Sequence, residues 1–126
     1  MTAVNSVQLT ASLEDYLKTI YYLHKIDEVI HLSEIALKMA VSKPSAFKAV
    51  TLLTSHELVY YTKFAPIRMT SQGIKVASKL VARYETIKDF LICFLNIDEK
   101  LASAEACAIE HNLCDTTLAR MADLLC

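Results

Sequence analysis

The sequence contains one glycine and two prolines in 126 residues. With so few residues that interrupt regular backbone, long helices are expected to dominate. Its four cysteines, at 93, 107, 114 and 126, form no CxxC pair, so a disulfide framework is not expected. No apolar run reaches the roughly 18 residues of a membrane span. The opening "MTAVNSVQLTASLEDY" lacks the basic-then-apolar layout of a signal peptide. A cytoplasmic protein with no membrane partner is therefore the expectation. There is no glycine-rich phosphate loop and no nucleophile elbow. The four histidines, at 24, 31, 56 and 111, offer no obvious triad, which argues against an enzyme.

What is present is apolar side chain, at 54% of residues. That suits one globular domain with a core, or two small subdomains. The net charge of −1 is uninformative, but its distribution is not. Residues 31–83 carry eight Lys/Arg against two Glu, a balance of +6, between flanks of −2 (1–30) and −5 (84–126). A basic middle between acidic ends is the footprint of a local polyanion-binding module. The alternative is a set of lysines on solvated helix faces.

The patterning divides this chain further. "LEDYLKTIYYLHK" (13–25) repeats apolar residues at a helical period, with Ser12 as candidate N-cap and Asp15 as the returning acid of a capping box. A short helix from Ser33 to about Ala40 follows, then a break at "VSKP", then a second helix capped by Ser42 with Pro44 in its first turn. This is the layout of a helix-turn-helix. "LVYYTK", turned by "FAP" into "IRM", makes a two-stranded wing. Thr70 caps a long helix whose apolar side carries Ile74, Ala77, Leu80, Val81, Tyr84, Ile87, Leu91 and Phe94. Asp98 and Asp115 begin two more helices. The fold class is mostly α: a winged helix-turn-helix over residues 1–72, then a helical subdomain over 73–126.

"EACAIEHNLCD" (105–115) places Cys107, Glu110 and His111 at i, i+3 and i+4. Thiolate, carboxylate and imidazole at that spacing can converge on one ion from a single helix. At about 100° per residue, Ala102, Ala106, Ile109 and Leu113 would form the core stripe. Cys107, His111 and Cys114 would lie on another side, with Glu110 between. Without a metal, Cys107 would be a small buried hydrophobe, His111 an interface histidine and Glu110 solvated.

Taken in order and spacing, "SLEDYLKTIYYL", "VSKPSAFKAVTLL", "HELVYY", "MTSQG" and "EACAIEHNLCD" resemble the iron- and manganese-dependent repressors. These are the family of the diphtheria toxin repressor and the manganese transport regulator. The resemblance runs from about residue 8 to residue 125. It implies a homodimeric, metal-responsive DNA-binding regulator, acting as a repressor of metal-homeostasis genes on double-stranded DNA. It also implies a metal site made of Asp15, Cys107, Glu110 and His111, with one site per chain. The thiolate suits Fe2+, Zn2+ or Co2+ better than Mn2+, and Fe2+ is the expected ion. Other positions at which the family carries ligands hold Lys18, Tyr84, Lys88 and Ser103 here, so a second site is expected to be absent. Nothing in the chain corresponds to the small C-terminal β-barrel domain of the longer members.

The resemblance places Ser42, Lys43, Pro44, Ser45, Lys48 and Thr51 on the DNA-facing helix, and Lys63 and Arg68 in the wing. These groups would contact phosphates and base edges. Phe47 and Leu52 stand where the family usually has polar or basic groups. They either join the packing or alter DNA affinity. Two other readings stay open: a metal-independent or redox-sensing winged-helix regulator, and a protein-interaction module that has lost DNA binding.

Overall fold

The computed structural model describes residues 9–63 and 65–125. The leader reading of residues 1–8, Phe64 in the wing turn and the Cys126 thiol lie outside them. The chain forms two compact units, one through Ser78 and one from Lys79.

In the first unit, α1 (Ala11–Ile26) buries Leu13, Tyr16, Leu17 and Ile20, the i, i+3, i+4, i+7 stripe that its periodicity dictates. Its cap is Thr10, whose Oγ1 accepts the Leu13 N–H at 3.1 Å. The helix therefore starts before Ser12, and Asp15 is not a capping acid. α2 (Leu32–Met39) is capped by His31, whose backbone N–H donates to Glu34 Oε1 at 2.8 Å. It ends where Ala40 takes φ 57, a left-handed conformation uncommon for a residue with a Cβ. The Val41 N–H to Ala36 C=O bond at 3.0 Å closes a Schellman turn. That turn redirects the chain into α3 (Lys43–Ser55). Ser42 caps α3 by accepting the Ser45 N–H at 3.2 Å, and Pro44 lies in the first turn.

The wing is the antiparallel pair β1 (Val59–Tyr60) and β2 (Arg68–Met69), in the register Val59 to Met69 and Tyr60 to Arg68. Val59 and Met69 are buried while Tyr60 and Arg68 are exposed, as the two-residue alternation requires. An isolated bridge extends the wing base: Ile67 N–H to Ile30 C=O at 2.8 Å and Ile30 N–H to Ile67 C=O at 3.3 Å. Ile30, Ile35, Val50, Leu53, Leu58 and Ile67 are fully buried and form the centre of this unit's core.

α4 (Ser71–Leu95) starts against the wing. Thr70 Oγ1 accepts the Gly73 N–H and donates to the Glu57 C=O, both at 2.8 Å. In the second unit, Ile87 and Leu91 of α4 pack with Ala102 and Ala106 of α5 (Glu99–Ile109) and Leu118 of α6 (Asp115–Leu125). Small residues at i and i+4 on α5 let it approach its neighbours closely. Asp98 caps α5, as its position predicts. Phe94 departs from the expected apolar side: it is 50% exposed and stacks on Phe90 with ring centroids 4.9 Å apart. No described helix is long and apolar enough to cross a membrane.

Candidate metal centre and nucleic-acid interface

The segment that carries Cys107, Glu110 and His111 lies where α5 stops. The α-helix ends at Ile109, and Glu110–Asn112 tighten into a 3-10 turn. This changes the expected stripe. Ala102 and Ala106 are buried, but Ile109 is 38% exposed, and Glu110 takes the buried i+4 position at 0% exposure. Glu110 is thus not the solvated acid of the metal-free reading. Burying a carboxylate is costly unless it is paired, hydrogen-bonded or coordinated to a cation. One of its oxygens and a ring nitrogen of His111 lie within 4.8 Å of each other. The half-buried Cys107 thiol is not among the ligand atoms gathered there. A buried carboxylate, an imidazole beside it and a thiol one turn earlier are a donor set that fits a divalent ion.

Arg83 was not singled out from the sequence, yet it builds this turn. Its Nη2 donates to the Glu110 C=O at 2.8 Å and the Leu113 C=O at 2.6 Å, and its Nη1 to Asp115 Oδ1 at 2.8 Å. A helix end leaves carbonyls without intrahelical partners, and the guanidinium fork takes two in this segment while fixing the start of α6. The only sequence signal was an arginine flanked by Leu80, Val81 and Tyr84 on the apolar side of α4. Cys114, just before α6, is exposed. Its thiol is held below the usual cysteine range, first by the Thr117 hydroxyl 3.4 Å away and then by the Thr117 backbone N–H.

In the first unit, Asp15 is half-buried on α1 with its Oδ1 3.4 Å from the ammonium of Lys18. Lys18 is itself buried. In the second unit, the Lys88 ammonium lies 5.6 Å from the centroid of the Tyr84 ring, within cation–π range. Tyr84 and Lys88, both at positions where the resemblance implies ligands, therefore engage each other.

The residues expected from the sequence to face DNA are all exposed: Ser42, Lys43, Pro44, Ser45, Lys48 and Thr51 on α3 and at its cap, Lys63 and Arg68 in the wing. All three hydroxyls also have local hydrogen bonds. Ser42 caps α3 and bonds Ser45 Oγ at 3.0 Å, and Thr51 donates to the Phe47 C=O at 2.8 Å. Phe47 and Leu52 are 46% and 43% exposed, so they do not simply join the core. A surface cleft of about 460 Å³ between the start of α3 and the wing is lined by Lys43, Phe47, Tyr61 and Lys63.

The model of the iron dependent repressor N-terminal DNA binding domain matches residues 8–65, and that of the iron dependent repressor metal binding and dimerisation domain matches residues 70–126. The chain belongs to the iron-dependent repressor family. This is a family of metal-dependent, DNA-binding transcriptional regulators rather than enzymes, and both modules, DNA-binding and metal-binding with dimerisation, are present. The chain is 41% identical over 118 residues to an uncharacterised HTH-type transcriptional regulator of Methanocaldococcus jannaschii, covering 90% of this chain and 91% of that one. It is 34% identical over 116 residues to the HTH-type transcriptional regulator MntR of Bacillus subtilis, covering 92% of this chain and 81% of MntR. The structure of the manganese regulator SloR matches with a TM-score of 0.80 at 36% identity, over 93% of this chain and 54% of SloR. This chain therefore spans about half the length of SloR.

Proposed function

We propose that this chain is a cytoplasmic, homodimeric repressor of metal-homeostasis genes whose single divalent ion is held by Asp15, Cys107, Glu110 and His111. The observation that carries the metal reading is Glu110: a fully buried carboxylate beside an imidazole, in the part of the chain that matches a metal-binding domain. When bound, the ion supplies a double positive charge that offsets the cost of burying carboxylate. The remaining roles belong to the side chains. Glu110 and His111 form a prepared pair, and Arg83 holds the turn they stand on. Lys18 keeps Asp15 oriented. The ion-bound form would favour the arrangement of the dimer that binds DNA. Two recognition helices could then enter successive major grooves about 34 Å apart. A ligand that binds one arrangement more tightly shifts the population toward it.

Fe2+ is the proposed ion because thiolate beside carboxylate and imidazole favours it over Mn2+, and Zn2+ and Co2+ share that preference. The likeness to the manganese regulator SloR supports Mn2+ as the rival. A single site per chain is supported by the two ammonium groups, Lys18 and Lys88, at positions where a second ion would need ligands.

Calorimetric titration of the full chain with Fe(II), Mn(II), Zn(II) and Co(II) tests this. One ion per chain is expected, lost in His111→Ala. Cys107→Ser should weaken Fe(II), Zn(II) and Co(II) more than Mn(II). DNA affinity should fall when the ion is chelated. Zero ions bound would end the metal proposal, and DNA affinity unchanged by chelator would select a metal-independent regulator.

A further inference from the structure

The buried residues of α3, namely Ala46, Ala49, Val50 and Leu53, define one side of the helix. At about 100° per residue, Pro44, Lys48 and Thr51 fall opposite. Phe47 and Leu52 fall at the two edges of that outward arc. They are not equivalent. Phe47 packs edge-on against Tyr61 of the wing, with ring centroids 6.0 Å apart and planes at 75°. Both rings line the cleft that also holds Lys43 and Lys63. The Phe47 ring is thus supported on one side and open on the other, at 46% exposure, between two lysines.

A ring left half in water gains by being covered, and the charge around it selects the cover. Lys43 and Lys63 line this cleft, and Lys48 on the same helix and Arg68 on the wing are exposed too, which disfavours a second copy of the same basic face and favours a polyanion. Inside a DNA major groove only thymine, through its C5-methyl, presents an apolar group to such a ring. We propose that Phe47 is a thymine-reading residue. Its ring, supported by Tyr61, packs on the C5-methyl of one thymine in each half-site, while Lys43 and Lys63 hold the flanking phosphates. This rests on α3 being the helix that enters the major groove.

The test uses the full chain with bound ion and duplexes selected from a random pool at about 50 mM salt. In the selected sequence, each thymine is replaced in turn by uracil, which removes only the methyl. One position per half-site should lose about fourfold in affinity, the value of one buried methyl-sized group. That loss should vanish in Phe47→Ser and persist in Leu52→Ser. Should no uracil position matter, or should Phe47→Ser keep the same uracil sensitivity, the assignment is overturned. Recovery of no bound duplex at all would instead overturn the DNA reading beneath it, and this inference with it.

Discussion

Arg83 shows how a single side chain can set up a site without belonging to it. Its three hydrogen bonds reach two carbonyls and one carboxylate in the segment from Glu110 to Asp115, so removing it leaves polar atoms unmatched. Arg83→Ala should lower stability by about 1–3 kcal/mol. It should also weaken ion binding about ten- to a hundredfold, the usual effect of losing a group that orients ligands. Arg83→Lys should recover little, since an ammonium lacks the fork that spans two carbonyls. Thermal melts and calorimetry read the two effects separately, and ion affinity unchanged in Arg83→Ala would show that the turn holds its shape unaided. The Cys107 thiol is not gathered with Glu110 and His111, but the closeness of those two was legible, because they are adjacent in the sequence. The burial of Glu110 was not, because stripe arithmetic assumes the helix continues through Leu113, and it stops at Ile109. Arg83 was illegible for a different reason. Two of its partners are backbone carbonyls 27 and 30 residues away, and a carbonyl leaves no mark in a sequence.

Elements bounded by strong local signals were read well. Ser42, Pro44, Thr70 and Asp98 each mark a helix start by a mechanism local to a few residues. The start of α1 was misplaced because Thr10 and Ser12 are both competent caps, and only the Leu13 N–H bond to Thr10 decides between them. The bridge between Ile30 and Ile67 involves one residue on each side, too short a pairing for alternation to reveal. Gly73 gives the element scale its sharpest test. Alanine is the better helix former by about 1 kcal/mol, so propensity alone predicts that Gly73→Ala stabilises α4. Yet a Cβ there would sit 1.9 Å from the Leu58 carbonyl oxygen, which is backbone and can yield only if the helix start moves off the wing. The clash wins. Gly73→Ala should destabilise by about 1–3 kcal/mol or more, measured by urea unfolding; a gain in stability would mean that the contact is looser than the structure shows.

Across the whole molecule, charge is partitioned by task. The basic stretch 31–83 carries a balance of +6 within a chain of net charge −1, and it contains α2, α3 and the wing. Binding through its lysines should release counterions, so affinity falls steeply with salt, with a slope of about 0.9 per phosphate neutralised. Lys43→Gln and Lys63→Gln should each reduce that slope by about 0.9, whatever the duplex sequence. Fluorescence anisotropy between low and moderate salt reads it, and slopes that match the parent would remove both residues from the phosphate contacts. The reciprocal pair between Ile30 and Ile67 gives this surface its foundation. Every side chain proposed to face bases or phosphates, except Arg68, lies between those two residues, in a segment stapled at both ends by main chain alone. Because the staple is made of main chain alone, the side chains it encloses can be exchanged while their mounting stays the same. The fold is in this sense an interchangeable reading head, whose target can drift without its base being rebuilt.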